Sequence, residues 1–283
     1  MKTRKPVYAG SWYPSTAREC ESQINEFIKI GKTPEKQPSN WVGGIVPHAG
    51  WYYSGAIACN VIQALVTENP PDVIVIFGMH LHPGSAAYIM AEGAWETPFG
   101  LLPVETHLAE ALVGRFSFHV ETTSKYSQDN TIELQLPFIK YFFPQVKIVA
   151  MGVPPTKQSL EIGSQVVEIT RELGLKAAVL GSTDLTHYGA NYGFTAKGTG
   201  AAAVNWVRDE NDRRVIEAML SLDADTVIDE ALANNNACCA GAAATAIAAG
   251  LAMGSSTAET IAYATSYDKS PGDSFVGYVG IVF

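Results

Sequence analysis

The sequence predicts an α/β fold: a single domain with a mostly parallel or mixed central sheet and helices on both faces. Three observations carry this expectation. Short apolar runs that read as buried strands alternate with longer segments of helical periodicity, the pattern of a sheet covered on both sides. The runs at Gly43–Val46, 73–77 and 177–180 are apolar throughout, as doubly covered strands are. His48, His80, His82 and His187 lie at or just past the ends of these runs, where open α/β sheets gather ligands and metals.

Taken in order, residues 15–30 follow a Pro14-Ser15 start and carry Cys20, Ile24, Phe27 and Ile28 at helical spacing, which makes an amphipathic helix that covers the sheet. The strand at Gly43–Val46 is followed by helical periodicity over 55–66. Pro70-Pro71 then ends that helix before the strand that begins at Val73, completing a βαβ unit. Further strands are expected at 88–90, 147–153, 177–180, 261–266 and 276–282, with helices near 106–114, 157–173, 200–220 and 238–252. No internal repeat or firm boundary interrupts the series, so all 283 residues are read as one domain, long enough to bury a large core.

Composition narrows the function. A net charge of −9, with the 19 Lys and Arg dispersed, lacks the basic stripe that a nucleic-acid surface needs. No apolar stretch reaches the roughly 20 residues that cross a bilayer, and the start, Met1-Lys2-Thr3-Arg4-Lys5-Pro6, has no signal-peptide core. No membrane or nucleic-acid partner is expected, and the expected compartment is the cytoplasm. Four cysteines, two of them adjacent, do not resemble a secreted disulfide framework, so reduced thiols are expected. The apolar and aromatic content leaves room for a homodimer.

The candidate chemistry sits at the strand ends. Pro47-His48-Ala49-Gly50 holds an imidazole at a turn with small neighbours that leave room for approach to the ring, an arrangement suited to a transition-metal ligand. His80 and His82 follow the end of the strand, and Pro83-Gly84 immediately afterwards turns the chain and aims His82 differently, so only one is expected to face a shared site. Asp184 and His187 lie within one turn, as an acid/base pair or as a cap beside an exposed histidine. Cys238 and Cys239 open the Ala-rich helix, where the backbone dipole favours thiolate; packing is the alternative fate of such residues. Asp129 reads as an N-cap, with Asn130 or Glu133 able to reach the pocket of His48 in a functional reading.

Ala9-Gly10-Ser11-Trp12-Tyr13-Pro14, Pro47-His48-Ala49-Gly50 with Tyr53-Ser54-Gly55, Thr131-Ile132-Glu133-Leu134-Gln135-Leu136-Pro137-Phe138 and Ser182-Thr183-Asp184-Leu185-Thr186-His187-Tyr188 resemble, in this order, the Memo family. Its microbial members are called AmmeMemoRadiSam system protein B. The likeness spans nearly the whole chain, through Tyr263-Ala264-Thr265-Ser266 and Val276-Gly277-Tyr278. It implies the fold of class III extradiol ring-cleaving dioxygenases, which use non-haem iron(II), and a metal site of two histidines and a cysteine. Carried over residue by residue, it implies His48 and His82 as the imidazole ligands, Cys238 or Cys239 as the thiolate, and Asp184 and His187 as the acid and histidine beside the metal. His80 falls where the family has a small polar residue and is read as a bystander. Asn130 stands where the family has a histidine, and an amide cannot shuttle a proton near neutral pH.

The leading expectation is therefore a Memo-like, metal-dependent redox enzyme that uses iron(II), with copper or zinc as competitors because thiolate softens the site. A non-catalytic protein that binds a peptide or partner in the same pocket is the rival. A zinc-dependent hydrolase is a third reading. The ligand is expected to be a small molecule or a peptide.

Overall fold

The computed structural model describes residues 2–31 and 41–283. Strand β1 (Thr3–Arg4) precedes helix α1 (Ala17–Ile30), which starts where the Thr16 side chain accepts the Glu19 N–H. Strand β2 (Gly43–Val46), helix α2 (Ala56–Ala64) and strand β3 (Val73–Gly78) form the expected βαβ unit. A run of short elements follows: β4 (Ala87–Met90), the hairpin β5 (Ala94–Thr97) and β6 (Gly100–Pro103), α3 (Thr106–Arg115), β7 (Phe118–Glu121), α4 (Asn130–Glu133) and α5 (Leu136–Phe142). The βα alternation then resumes with β8 (Lys147–Gly152), α6 (Lys157–Glu172), β9 (Ala177–Ser182) and the two-residue strand β10 (His187–Tyr188). The last part comprises α7 (Ala201–Trp206), α8 (Asp212–Leu220), α9 (Ala224–Asn234), α10 (Ala240–Met253), β11 (Glu259–Thr265) and β12 (Phe275–Val282).

The main sheet runs β10-β12-β2-β9-β3-β8-β4-β7, with β11 paired to β12. Its centre, β2-β9-β3-β8, is parallel, while β12 and β4 flank it antiparallel. The sheet is therefore mixed, and the carboxyl ends of β2, β3 and β9 lie side by side at one edge. Helix α2 covers β2 and β12 with α1 and α5 against it; α10 covers the opposite face with α6 and α9 beside it. The central strands are buried along their length, so they read as continuous apolar runs. Among the described residues no helix is long and apolar enough to cross a membrane.

The alanine-rich composition of α10 has a packing cause. A side chain on Gly181 of β9 would sit 2.7 Å from the Ala242 carbonyl oxygen, and one on Gly163 of α6 would sit 2.4 Å from that of Thr245. Backbones this close admit only small residues. They also set the amino end of α10, with its two cysteines, directly against the carboxyl end of β9.

Some elements differ from expectation. The expected helix over 200–220 is broken by a π-helical turn at Val207–Asn211, and α9, β7 and the β5–β6 hairpin were not anticipated. The hairpin strands are four residues each and pair with β1 in a separate small sheet, too short for periodicity to register.

Candidate metal centre

His48 follows β2 and is buried, and every local contact fixes its ring. Its backbone N–H donates to Asp184 Oδ1 at 2.7 Å, its carbonyl accepts from Asn130 Nδ2 at 2.9 Å, and the preceding Pro47 carbonyl accepts from Gln135 Nε2 at 2.9 Å. The ring Nδ1 lies 3.0 Å from Ser182 Oγ, and that hydroxyl donates its own proton to the Thr131 carbonyl at 2.7 Å. A hydroxyl has one proton, so Ser182 can only accept from His48; Nδ1 carries hydrogen and Nε2 is turned to Cys238 Sγ, 3.3 Å away.

After β3 the chain does something that alternation does not foresee. The strand ends at Gly78, and Met79 adopts a left-handed conformation (φ 70°) while its N–H donates to Thr131 Oγ1 at 2.7 Å. This break turns His80 toward the cluster, its ring edge-on to His48 with centroids 5.0 Å apart and its Nδ1 3.2 Å from Asp129 Oδ2. His82 is exposed in a turn closed by its backbone with Ser85. The second imidazole of the donor cluster is thus His80, whereas His82, expected as the ligand with His80 as bystander, lies exposed outside the cluster. The expectation for His82 came from a gap-free match to the family pattern through Gly78, and the left-handed Met79 that follows brings His80 to the cluster instead.

The thiols arrive from the other side. Cys238 N–H donates to the Asp184 carbonyl at 3.1 Å and Cys239 N–H to Thr183 Oγ1 at 3.1 Å, which pins the start of α10 to the loop after β9. The two sulfurs are 3.7 Å apart, and one donor atom from each of His48, His80, Cys238 and Cys239 falls within 4.8 Å of all the others. Burial alone would raise the Cys238 thiol, but the Cys239 hydrogen bond and the His48 and His80 imidazoles hold it well below its ordinary value. Burial, reinforced by the neighbouring sulfur, pushes Cys239 up. Burial would lower His48 and His80; Asp184 and Cys238 outweigh it for His48, and Asp129 and Cys238 for His80, so both are raised.

Asp184 is buried with its Oδ2 3.8 Å from His48 Nε2, and burial raises its pKa. It engages His48 rather than His187, whose Nδ1 donates to the Leu185 carbonyl at 3.1 Å and whose ring edge meets Tyr192. Both residues line a cleft of about 520 Å³ with His48, His80 and Asn130, and Trp12, Tyr52, Tyr53 and Tyr192 contribute aromatic walls. Glu133 does not reach it; its carboxylate accepts the N–H groups of Val7 and Tyr8 and the Tyr13 hydroxyl, anchoring the N-terminal segment. Asp129 does cap α4, through the Thr131 N–H at 2.9 Å, while its second oxygen orients His80. The cap was legible in sequence and hid the second role.

An α/β sheet that delivers two imidazoles and two thiols to the carboxyl ends of its parallel strands defines a class of protein with a His/Cys donor site at a topological edge. The chain belongs to the Memo-like protein family, whose model matches residues 4–282. It is 32% identical over 293 residues to a MEMO1 family protein of Methanopyrus kandleri, covering 99% of this chain and 98% of the relative. A MEMO1 family protein of Pyrobaculum aerophilum is 33% identical over 293 residues, covering 100% and 99%. An uncharacterized protein of Escherichia coli K12 with a crystal structure shares the fold at 11% identity, with a TM-score of 0.52 over 85% of this chain and 98% of that one.

Proposed function

We propose that the protein holds a transition metal through His48, His80 and Cys238 and acts as a metal-dependent redox enzyme on a small molecule or peptide bound in the cleft. The observation that carries this reading is the convergence of the donors with both ring Nδ1 atoms already engaged, by Ser182 and by Asp129. Outer partners of that kind fix the tautomer and orientation of metal-ligating imidazoles. The residues fit a metal chemically: two imidazoles and a thiolate with a depressed pKa suit iron(II), the metal the family resemblance implies, and the sulfur also suits copper.

A bound redox metal would supply electron transfer and Lewis acidity at the cleft wall. The chain's own residues do the rest. Asp184, buried beside His48, has its pKa raised because burial disfavours its charge, which makes it a group that can take up and release a proton at the cleft. His187 offers a second proton site on the same wall, and Asn130 can orient a bound ligand by hydrogen bonding. The described cysteines are all free, which fits the reducing environment of the cytoplasm.

Trp12, Tyr52 and Tyr192 are 42%, 64% and 47% exposed around the cleft, which favours a second reading: recognition of a peptide without turnover. Oxygen uptake by protein reconstituted anaerobically with iron(II), over a panel of phenols and peptides, separates the two. Metal-dependent uptake that His48→Ala abolishes is expected. Ligand binding with no uptake for any metal or ligand would leave the recognition reading in its place.

A further inference from the structure

We infer that Cys239 is a fourth protein ligand, so that the site is an N2S2 centre of the kind that zinc and copper(I) prefer over iron(II). This rests on the metal-binding reading above and extends it to a residue where the family resemblance offers only one cysteine. Around a tetrahedral ion with bonds of about 2.0 Å to nitrogen and about 2.3 Å to sulfur, neighbouring donors stand roughly 3.3–3.8 Å apart. Cys238 Sγ lies 3.3 Å from His48 Nε2 and 3.7 Å from Cys239 Sγ, already at those edges, and all four donors lie within 4.8 Å of one another before any ion draws them in.

The backbone holds Cys239 in this position. Its N–H is tied to Thr183 Oγ1 at 3.1 Å, it occupies the N-cap of α10, and it is 3% exposed, so its sulfur is held away from solvent beside the other three donors. Neighbouring residues are poorly placed to form a disulfide instead, since consecutive Cα atoms are about 3.8 Å apart and disulfides span at least about 4.4 Å. His48 and His80 line the cleft whereas neither cysteine does, so the sulfurs ligate from behind and an added ligand from the cleft would make the ion five-coordinate. On binding a divalent ion, the metal–sulfur bond to Cys239 forms as its thiol proton passes to buffer.

Anaerobic titration of the metal-free full-length protein with cobalt(II) tests this, read by the near-ultraviolet thiolate-to-cobalt band. Wild type should show the band of two thiolates with intense tetrahedral visible absorption, and Cys239→Ser should lose about half of the ultraviolet band. X-ray absorption at the zinc edge of the unmutated protein should count two sulfur neighbours, which keeps the test independent of whether the variant folds. A Cys239→Ser band equal to wild type, or a single sulfur neighbour in wild type, overturns the fourth ligand and leaves the three-residue site intact. No cobalt band in wild type overturns this inference together with the metal-binding reading.

Discussion

Two histidines hold the same local geometry at opposite ends of the sheet, and only one belongs to a site. His80 Nδ1 is 3.2 Å from Asp129 Oδ2 at the carboxyl end of β3; His107 Nδ1 is 3.2 Å from Glu105 Oε1, near Lys147 at the amino end of β8. Each carboxylate also accepts a backbone N–H at the start of a helix. The difference lies in what the second ring nitrogen meets. His107 is 78% exposed at its side chain and its carboxylate answers to Lys147, whereas His80 is backed by Cys238, His48 and Cys239. A paired histidine is common surface chemistry; convergence of further donors makes it a candidate ligand.

The comparison breaks most sharply at the donors. Cys238→Ser or His48→Ala should weaken metal binding by more than about 100-fold in calorimetric titration, since each removes a ligand, while His107→Ala should leave affinity unchanged. Asp129→Asn keeps the helix cap but removes the anion that orients His80, and should cost about 10–100-fold in affinity. Glu105→Gln, the matched change at the other end, should cost nothing in the same titration.

A third carboxylate sharpens the role of the imidazole partner. Asp212 is buried with hydroxyl and amide donors only, from Thr186 and Tyr263, and burial outweighs them to push its pKa from 3.8 to about 7. Asp129, less deeply buried and facing His80, is lowered instead, because that hydrogen bond and Thr131 overcome burial. Between pH 3.8 and about 7 the folded protein therefore binds a proton at Asp212 that the unfolded chain has released, so stability from this group falls as pH rises across that window. Asp212→Asn should accordingly gain thermal stability relative to wild type above pH 7, by up to a few kcal/mol, and lose that advantage near pH 4. The smallest effect belongs to the exposed pair: His107→Ala should change unfolding free energy by less than about 0.5 kcal/mol in urea denaturation.

Much of the site was legible because strand-end positions follow from the apolar runs. Gly43–Val46 and the run at 177–180 fix where His48 and Asp184 emerge, and the small-residue helix fixes the cysteines. His80 was not legible, since the left-handed Met79 breaks the strand just before it and nothing in its identity announces φ > 0. Ser182 and Asp129 were hidden differently: the first lay just past the run at 177–180 with nothing to single it out, and the second had a sufficient explanation as a cap. Glu133 depends on partners more than 110 residues away in sequence, Val7, Tyr8 and Tyr13, which no local pattern reveals. Helix α9 was missed although Asp223 caps it through the Thr226 N–H, a start signal that residue-by-residue reading could have found.

The most direct measurement is the metal content, by elemental analysis after anaerobic purification, of wild type, His80→Ala and His82→Ala. About one ion per chain in wild type and in His82→Ala, with almost none in His80→Ala, is the expected result. Retention in His80→Ala with loss in His82→Ala, or no stoichiometric metal in wild type, would contradict a metal centre built on His48, His80 and Cys238.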